Sequence, residues 1–159
     1  MKQRFHIDTS VFGGYFDSEF ETETRLLFNK IRQNEIICVY SELTENELEN
    51  APMKVLEILN NLSVKQKEKV AITDDAIKLA ETYLAEKVVG ESSYDDCLHI
   101  ATATIHKVDL LVSWNFKHIV NIYRIRGCNS INLRLGYNNL AIHSLKEIVN
   151  YGNAKSNCN

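Results

Sequence analysis

The stretch Ser92-Ser93-Tyr94-Asp95-Asp96-Cys97-Leu98-His99-Ile100-Ala101-Thr102-Ala103-Thr104-Ile105-His106, followed by Asp109-Leu110-Leu111-Val112-Ser113, decides the fold. Its serines and aspartates can open a helix, because their oxygens accept hydrogen bonds from the first free N–H groups and their charge meets the helix dipole favourably. The small residues that follow let this helix lie close on a sheet. The apolar run from Asp109 reads as a strand.

The same alternation repeats toward the N-terminus. Arg4-Phe5-His6-Ile7 reads as a short strand ending in a turn or cap at Asp8-Thr9-Ser10. Between Phe20 and Gln33 the residues Leu26, Leu27, Phe28 and Ile31 recur at helical spacing, and Glu35 to Tyr40 follows as a β-branched strand. Ser41 can cap a helix through Asn50, and Val55, Leu56, Ile58, Leu59 and Leu62 suggest another after Pro52. Thr73-Asp74-Asp75 opens an amphipathic helix that stops near Gly90. Downstream, Ser130-Ile131-Asn132-Leu133 reads as a weaker fourth strand, and 144–149 as a short helix before a polar tail, 153–159.

Strands alternating with helices predict right-handed crossovers and an α/β/α arrangement, with a mostly parallel central sheet covered on both faces. In such sheets ligands collect beyond the carboxyl ends of the strands. Asp8 and the segment Ser113-Trp114-Asn115 both fall at such ends, so they are expected to be neighbours despite their distance in sequence. No linker or internal repeat divides the chain, and a single domain over 1–152 with a tail at 153–159 is expected.

Net charge is −3, which argues against a protein that coats nucleic acid. The distribution is more informative. Residues 17–50 carry a balance of −6 and residues 107–134 a balance of +4, an arrangement suited to a site with one metal-binding wall and one phosphate-binding wall, or to two solvated faces. The four cysteines, at 38, 97, 128 and 158, lack the C-x-x-C spacing of a zinc or redox site and read as reduced thiols. Without an apolar leader at Met1 or a run of about 18 apolar residues, a cytoplasmic protein with no membrane association is expected.

Carboxylates are the side chains most capable of chemistry. On the helix after Ser41, Glu42, Glu45 and Glu49 share an outward face, whereas Glu47 projects with Leu43 and Thr44 toward the body of the protein. A half-buried carboxylate needs a compensating partner, and a divalent cation is an effective one. Asp95 and Asp96 also read as helix-opening residues, and Asp8 as an Asx cap.

Taken in order, D-T-S-V at Asp8, S-x-x-T-x-x-E-L from Ser41, D-x-x-H-I-A-T-A from Asp96 and S-W-N-F from Ser113 resemble the PIN-domain family over residues 4 to about 135. The resemblance places the family's acids on Asp8, Glu47 and Asp96, and its fourth acidic position on Asn115, an amide. It implies a PIN-like fold, Mg²⁺ or Mn²⁺ held by Asp8, Glu47 and Asp96, and hydrolysis of single-stranded RNA by in-line attack without a covalent enzyme intermediate. It also implies a likeness to VapC-type toxins, which pair with an antitoxin protein. Whether an antitoxin or a second copy of the chain, as a homodimer, is the partner stays open.

Asp8, Glu47, Asp96 and Asn115 are thus the expected catalytic set. Thr9, Ser113, Lys117 and His118 are candidate substrate contacts, and each also reads as an ordinary turn or surface residue. His99, one turn after Asp96, reads either as a phosphate contact or as a helix-surface or sheet-packing histidine bonded to backbone, and Trp114 as a stacking platform or a packing residue. Three functions remain in play: a metal-dependent endoribonuclease, a catalytically silent module that binds RNA or protein, and a small-molecule phosphatase on the same architecture. Asn115 is the feature that keeps the silent module open.

Overall fold

Alternation along β1 (Gln3–Ile7), β2 (Ile36–Tyr40) and β4 (Leu110–Val112) divides their side chains between two cores. Phe5, Ile7, Cys38, Tyr40 and Val112 point to one side. There α1 (Thr9–Gly14), α2 (Glu21–Arg32), α3 (Glu42–Glu49) and α4 (Met53–Asn60) cover them with Phe12, Phe28, Ile31, Leu48 and Ile58. Val39 and Leu111 point to the other side, against α5 (Asp74–Ala85), α6 (Tyr94–Ile105) and α7 (Ile122–Arg134), which supply Leu79, Tyr83, Ile100 and Ile131. Each such side chain, fully buried, contributes about 1.5–3 kcal/mol.

With β3 (Lys67–Lys69) and β5 (Ile142–His143), the strands make one sheet in the order β3-β2-β1-β4-β5, parallel throughout. The computed structural model describes residues 2–87 and 93–148. The expected helix end near Gly90, the helix-opening Ser92, Val149 and the tail 153–159 lie outside those residues. Among the described residues, no helix is long and apolar enough to cross a membrane.

The strand register sets a histidine among apolar side chains. His6 lies level with Val39 on one side and Leu111 on the other, on the face that α6 covers.

One sequence expectation is overturned. Ser130-Ile131-Asn132-Leu133 is not a strand but the last part of α7, whose first turn is capped by Asn121 Oδ1 accepting from Tyr123 N and Arg124 N. Ile131 and Leu133 imitate a period of two, yet Leu133 is exposed while Cys128, Ile131 and Asn132 are buried at helical spacing. Asn129 and Asn132 hid that spacing because both are polar. Asn129 bonds the backbone of Leu140 through both ends of its amide, and Asn132 Oδ1 accepts from the Tyr83 hydroxyl.

Candidate active site

β1 is flanked by β2 on one side and β4 on the other, so the chain leaves β1 in opposite directions around the point where β1 and β4 meet. Such a switch point opens a crevice at the strands' carboxyl ends. Asp8 follows β1 directly, its N–H donating to Val112 O at 3.0 Å, and Ser113 follows β4. The two ends are therefore joined as the alternation predicted.

The Asp8 side chain is almost fully buried. Its Oδ2 caps α1, accepting from Ser10 N at 3.4 Å, from Ser10 Oγ at 2.5 Å and from Ser113 Oγ at 2.9 Å. Trp114 N in turn donates to Ser10 Oγ at 3.0 Å. These bonds fix the carboxylate plane and concentrate on one oxygen. Asp8 Oδ1 is left facing His99, 3.9 Å from Nε2.

Glu47 reaches the same place from α3. Thr44 and Leu48 bury the face of α3 that meets the sheet, Thr44 Oγ1 accepting from Ser41 N at the helix start, and this brings Glu47 inward with its side chain 34% exposed. Glu47 Oε1 lies 2.5 Å from His99 Nε2. Glu42 and Glu49 are exposed, as expected of the outward face. Glu45 differs: it is half-buried and pairs with Lys69 of β3 at 2.6 Å.

Asp96 comes from the first turn of α6, where Ser93 is the N-cap, its hydroxyl accepting from Asp96 N and donating to Asp96 Oδ2. Burial pushes the Asp96 carboxyl above its ordinary range; the Ser93 hydroxyl offsets part of this, and the charge of Asp8 adds to it. Asp95, its neighbour, is exposed.

His99 is the residue that sequence reasoning placed least well. It is neither a surface histidine nor bonded to backbone: it is 1% exposed, bonded to Glu47 through Nε2, and its Nδ1 lies 3.4 Å from His6 Nε2. Burial disfavours a charged ring, but the Glu47 bond and the charges of Asp8, Glu47 and Asp96 outweigh it, and the His99 pKa is raised. His6 behaves oppositely, lowered to about 3 by burial and then by His99 and His106.

Asn115 Oδ1 accepts from His118 N at 2.9 Å, so the amide caps the turn that follows β4. In that turn Lys117 is exposed, and His118 Nδ1 lies 3.1 Å from Arg124 Nη1. His118 is close enough to Asp96 to act on its charge. Thr9 Oγ1 is buried with no hydrogen-bond partner. Trp114 is a packing residue, 6% exposed, stacked on Phe20 at 4.2 Å and donating to Thr24 Oγ1 at 2.9 Å. Ser10 and His6 were missed in the sequence: a serine after Asp-Thr reads as any turn residue, and no local pattern marks a histidine that faces inward from a strand.

Among the described residues, no group of three or more histidine, cysteine, aspartate or glutamate side chains is placed to hold a metal ion. The carboxylates gather around His99 instead. No protein-family model matches the sequence, and no curated protein matches it. Solved structures do. A chain of the VapBC2 complex of Rickettsia felis, bound to a promoter DNA fragment, superposes with a TM-score of 0.54 at 12% identity, covering 89% of this chain and 98% of that one. VapC20 of Mycobacterium tuberculosis, a toxin that cleaves the sarcin-ricin loop, gives 0.53 at 16% identity, covering 69% and 87%. A chain of the DNA-bound VapBC complex of Salmonella typhimurium gives 0.54 at 16% identity, covering 91% and 99%.

The fold is PIN-like. At these identities the likeness is one of architecture, and it agrees with the order of elements and with the all-parallel sheet. On this PIN-like fold, Asp8 at the end of β1, Glu47 on α3 and Asp96 at the start of α6 converge on one end of the sheet.

Proposed function

We propose that the chain is a metal-dependent endoribonuclease that hydrolyses phosphodiester bonds of single-stranded RNA, and that it is the toxin of a toxin–antitoxin pair. The observation that carries this reading is the state of Asp8, a buried carboxylate whose Oδ2 is held by two serine hydroxyls while Oδ1 is turned toward His99. A structural Asx cap needs only the Ser10 bonds. The added clamp from Ser113, 105 residues away in sequence, orients the free oxygen.

The donor chemistry fits Mg²⁺ or Mn²⁺, because the side chains of Asp8, Glu47 and Asp96 offer hard carboxylate oxygens. Asp8 and Asp96 would hold the ion, with Glu47 as the third carboxylate. When bound, such an ion lowers the pKa of water and neutralises charge on the scissile phosphate. The chain's own contribution is to fix Asp8 through Ser10 and Ser113, to keep Glu47 on His99, and to offer Lys117 and His118 as groups for substrate phosphate and ribose.

The partner reading rests on two of the similar structures being VapBC complexes, and an antitoxin is proposed on that likeness. A silent module binding RNA or protein is the second reading, favoured by Asn115, whose oxygen is already used in a cap. The purified chain incubated with unstructured RNA in Mn²⁺, Mg²⁺ or excess EDTA separates the two. Ion-dependent cleavage supports the nuclease, and RNA binding without turnover in any ion supports the module.

A further inference from the structure

We infer that His99, backed from within the core by His6, is a positioning residue that holds the Glu47 carboxylate in the site and so sets how tightly the site takes a divalent cation. This rests on the metal-dependent reading proposed for the same site.

Donor and acceptor chemistry places the proton. An ionised Glu47 carboxylate can only accept, so at 2.5 Å from Oε1 the His99 Nε2 must carry a proton. That leaves Nδ1 to face His6 Nε2 at 3.4 Å, with the two rings edge to face at 70°. A line of contacts thus runs from the middle of the sheet, through a fully buried ring, to one oxygen of Glu47.

Nothing in the packing requires this line. His6 sits between Val39 and Leu111 on the α6 face, where an apolar side chain would fill the space, and its own Nδ1 is buried with no partner. An unpaired buried nitrogen is a loss that folding alone does not repay. What the pair achieves is directional. Glu47 projects from an eight-residue helix with a long, half-exposed side chain that would otherwise sample many rotamers. With Oε1 held by His99, Oε2 carries no hydrogen bond among the described residues and is left for a ligand. His99 Nε2 also faces Asp8 Oδ1 at 3.9 Å, so the same ring spaces two of the three carboxylates. Hydrogen-bonded outer groups of this kind orient the carboxylates that bind an ion.

The test uses the full chain, with Mn²⁺ as the probe. Imidazole ¹⁵N spectra of the protein without added metal should show His99 Nε2 as a protonated nitrogen whose shift moves on Glu47→Gln. Calorimetric Mn²⁺ titration should show His99→Leu weakened by roughly tenfold or more. His99→Gln, which restores an amide donor near the position of Nε2, should recover most of that loss. His6→Leu should weaken binding to a smaller extent, with the fold intact by melting.

A folded His99→Leu that binds Mn²⁺ like the parent, or a His99 Nε2 insensitive to Glu47→Gln, overturns the proposal while leaving the metal site standing. If His99→Leu does not fold, His6→Leu and the spectra decide: unchanged affinity and an unmoved shift overturn it. A parent chain that takes no Mn²⁺ at all overturns both the anchor and the metal-dependent reading.

Discussion

Ser113 Oγ donates to Asp8 Oδ2 at 2.9 Å, tying the residue that follows β4 to the residue that follows β1. Ser113 Oγ also accepts from Asn115 N at 2.9 Å and lies 3.4 Å from Ser10 Oγ, so one hydroxyl links the carboxylate, the turn after β4 and the start of α1. Ser113→Ala should therefore lower RNA cleavage several-fold through a looser Asp8, at a stability cost of only about 1 kcal/mol. Cleavage rates beside melting curves check this. An unchanged rate would leave Ser113 a structural linker.

Asn115→Asp adds a carboxylate where the PIN-like pattern expects one, and an aspartate oxygen can still accept from His118 N, so the cap survives. The substitution should lower the Mn²⁺ concentration for half-maximal activity several-fold, about 1 kcal/mol in binding. Without metal the variant should melt lower, because another anion joins a repelling cluster, and Mn²⁺ should reverse that loss. Equal Mn²⁺ affinities by calorimetry would confine Asn115 to its capping role.

At Gly14 the fold leaves no room for a side chain. A Cβ there would stand 2.7 Å from Trp114 Nε1 and 2.9 Å from Thr24 Oγ1, between the two partners of a buried hydrogen bond. Gly14→Ala should cost about 1–3 kcal/mol. The change should appear in tryptophan fluorescence and, because Trp114 N bonds Ser10 Oγ, in cleavage. Parent-like melting and fluorescence would mean that Trp114 yields without consequence.

Much of this site was legible from pattern alone. Asp8 and Ser113 follow apolar runs that read as strands, and the helical period separated Glu47 from Glu42 and Glu49 because Glu47 projects with Leu43 and Thr44. What stayed hidden was hidden for physical reasons. Lys67-Glu68-Lys69 forms β3 although every residue is charged, since an edge strand pairs its backbone while Glu68 and Lys69 meet Arg4 and Glu45. α7 looked like a strand because its inward-facing asparagines broke the apolar period. His6 and Ser10 act through partners distant in sequence or through a hydroxyl common to any turn, and neither leaves a local signature. Glu45, expected to be without a role, holds Lys69 instead, so Glu49 is the sounder neutral control for Glu47→Gln.

Acid sensitivity should follow from His6. Its folded pKa, lowered from 6.5 to about 3, means that the unfolded chain binds this proton more readily. The contribution of neutral His6 is complete above 6.5 and falls away as pH drops toward 3. His99, with a raised pKa, contributes in the opposite sense: its stabilisation is present below its unfolded value and is lost as pH rises through the folded one. Denaturant titrations of the parent and His6→Leu across pH 3–7 should show the variant losing less stability on the acid side. Parallel curves would mean that His6 is protonated at little cost.

The proposed chemistry depends above all on Asp8 and Asp96 working as a pair in an ion-dependent cleavage. The decisive experiment is single-turnover cleavage of an unstructured RNA in Mn²⁺ by Asp8→Asn and Asp96→Asn, each beside the parent chain and with melting curves taken without metal. Both substitutions should lower cleavage by orders of magnitude. Asp96→Asn should also melt no lower than the parent, because its raised pKa marks an ionised carboxylate that the fold disfavours. Parent-level cleavage by either folded variant, or cleavage that persists in excess EDTA, would refute the pairing and the ion-dependent mechanism with it.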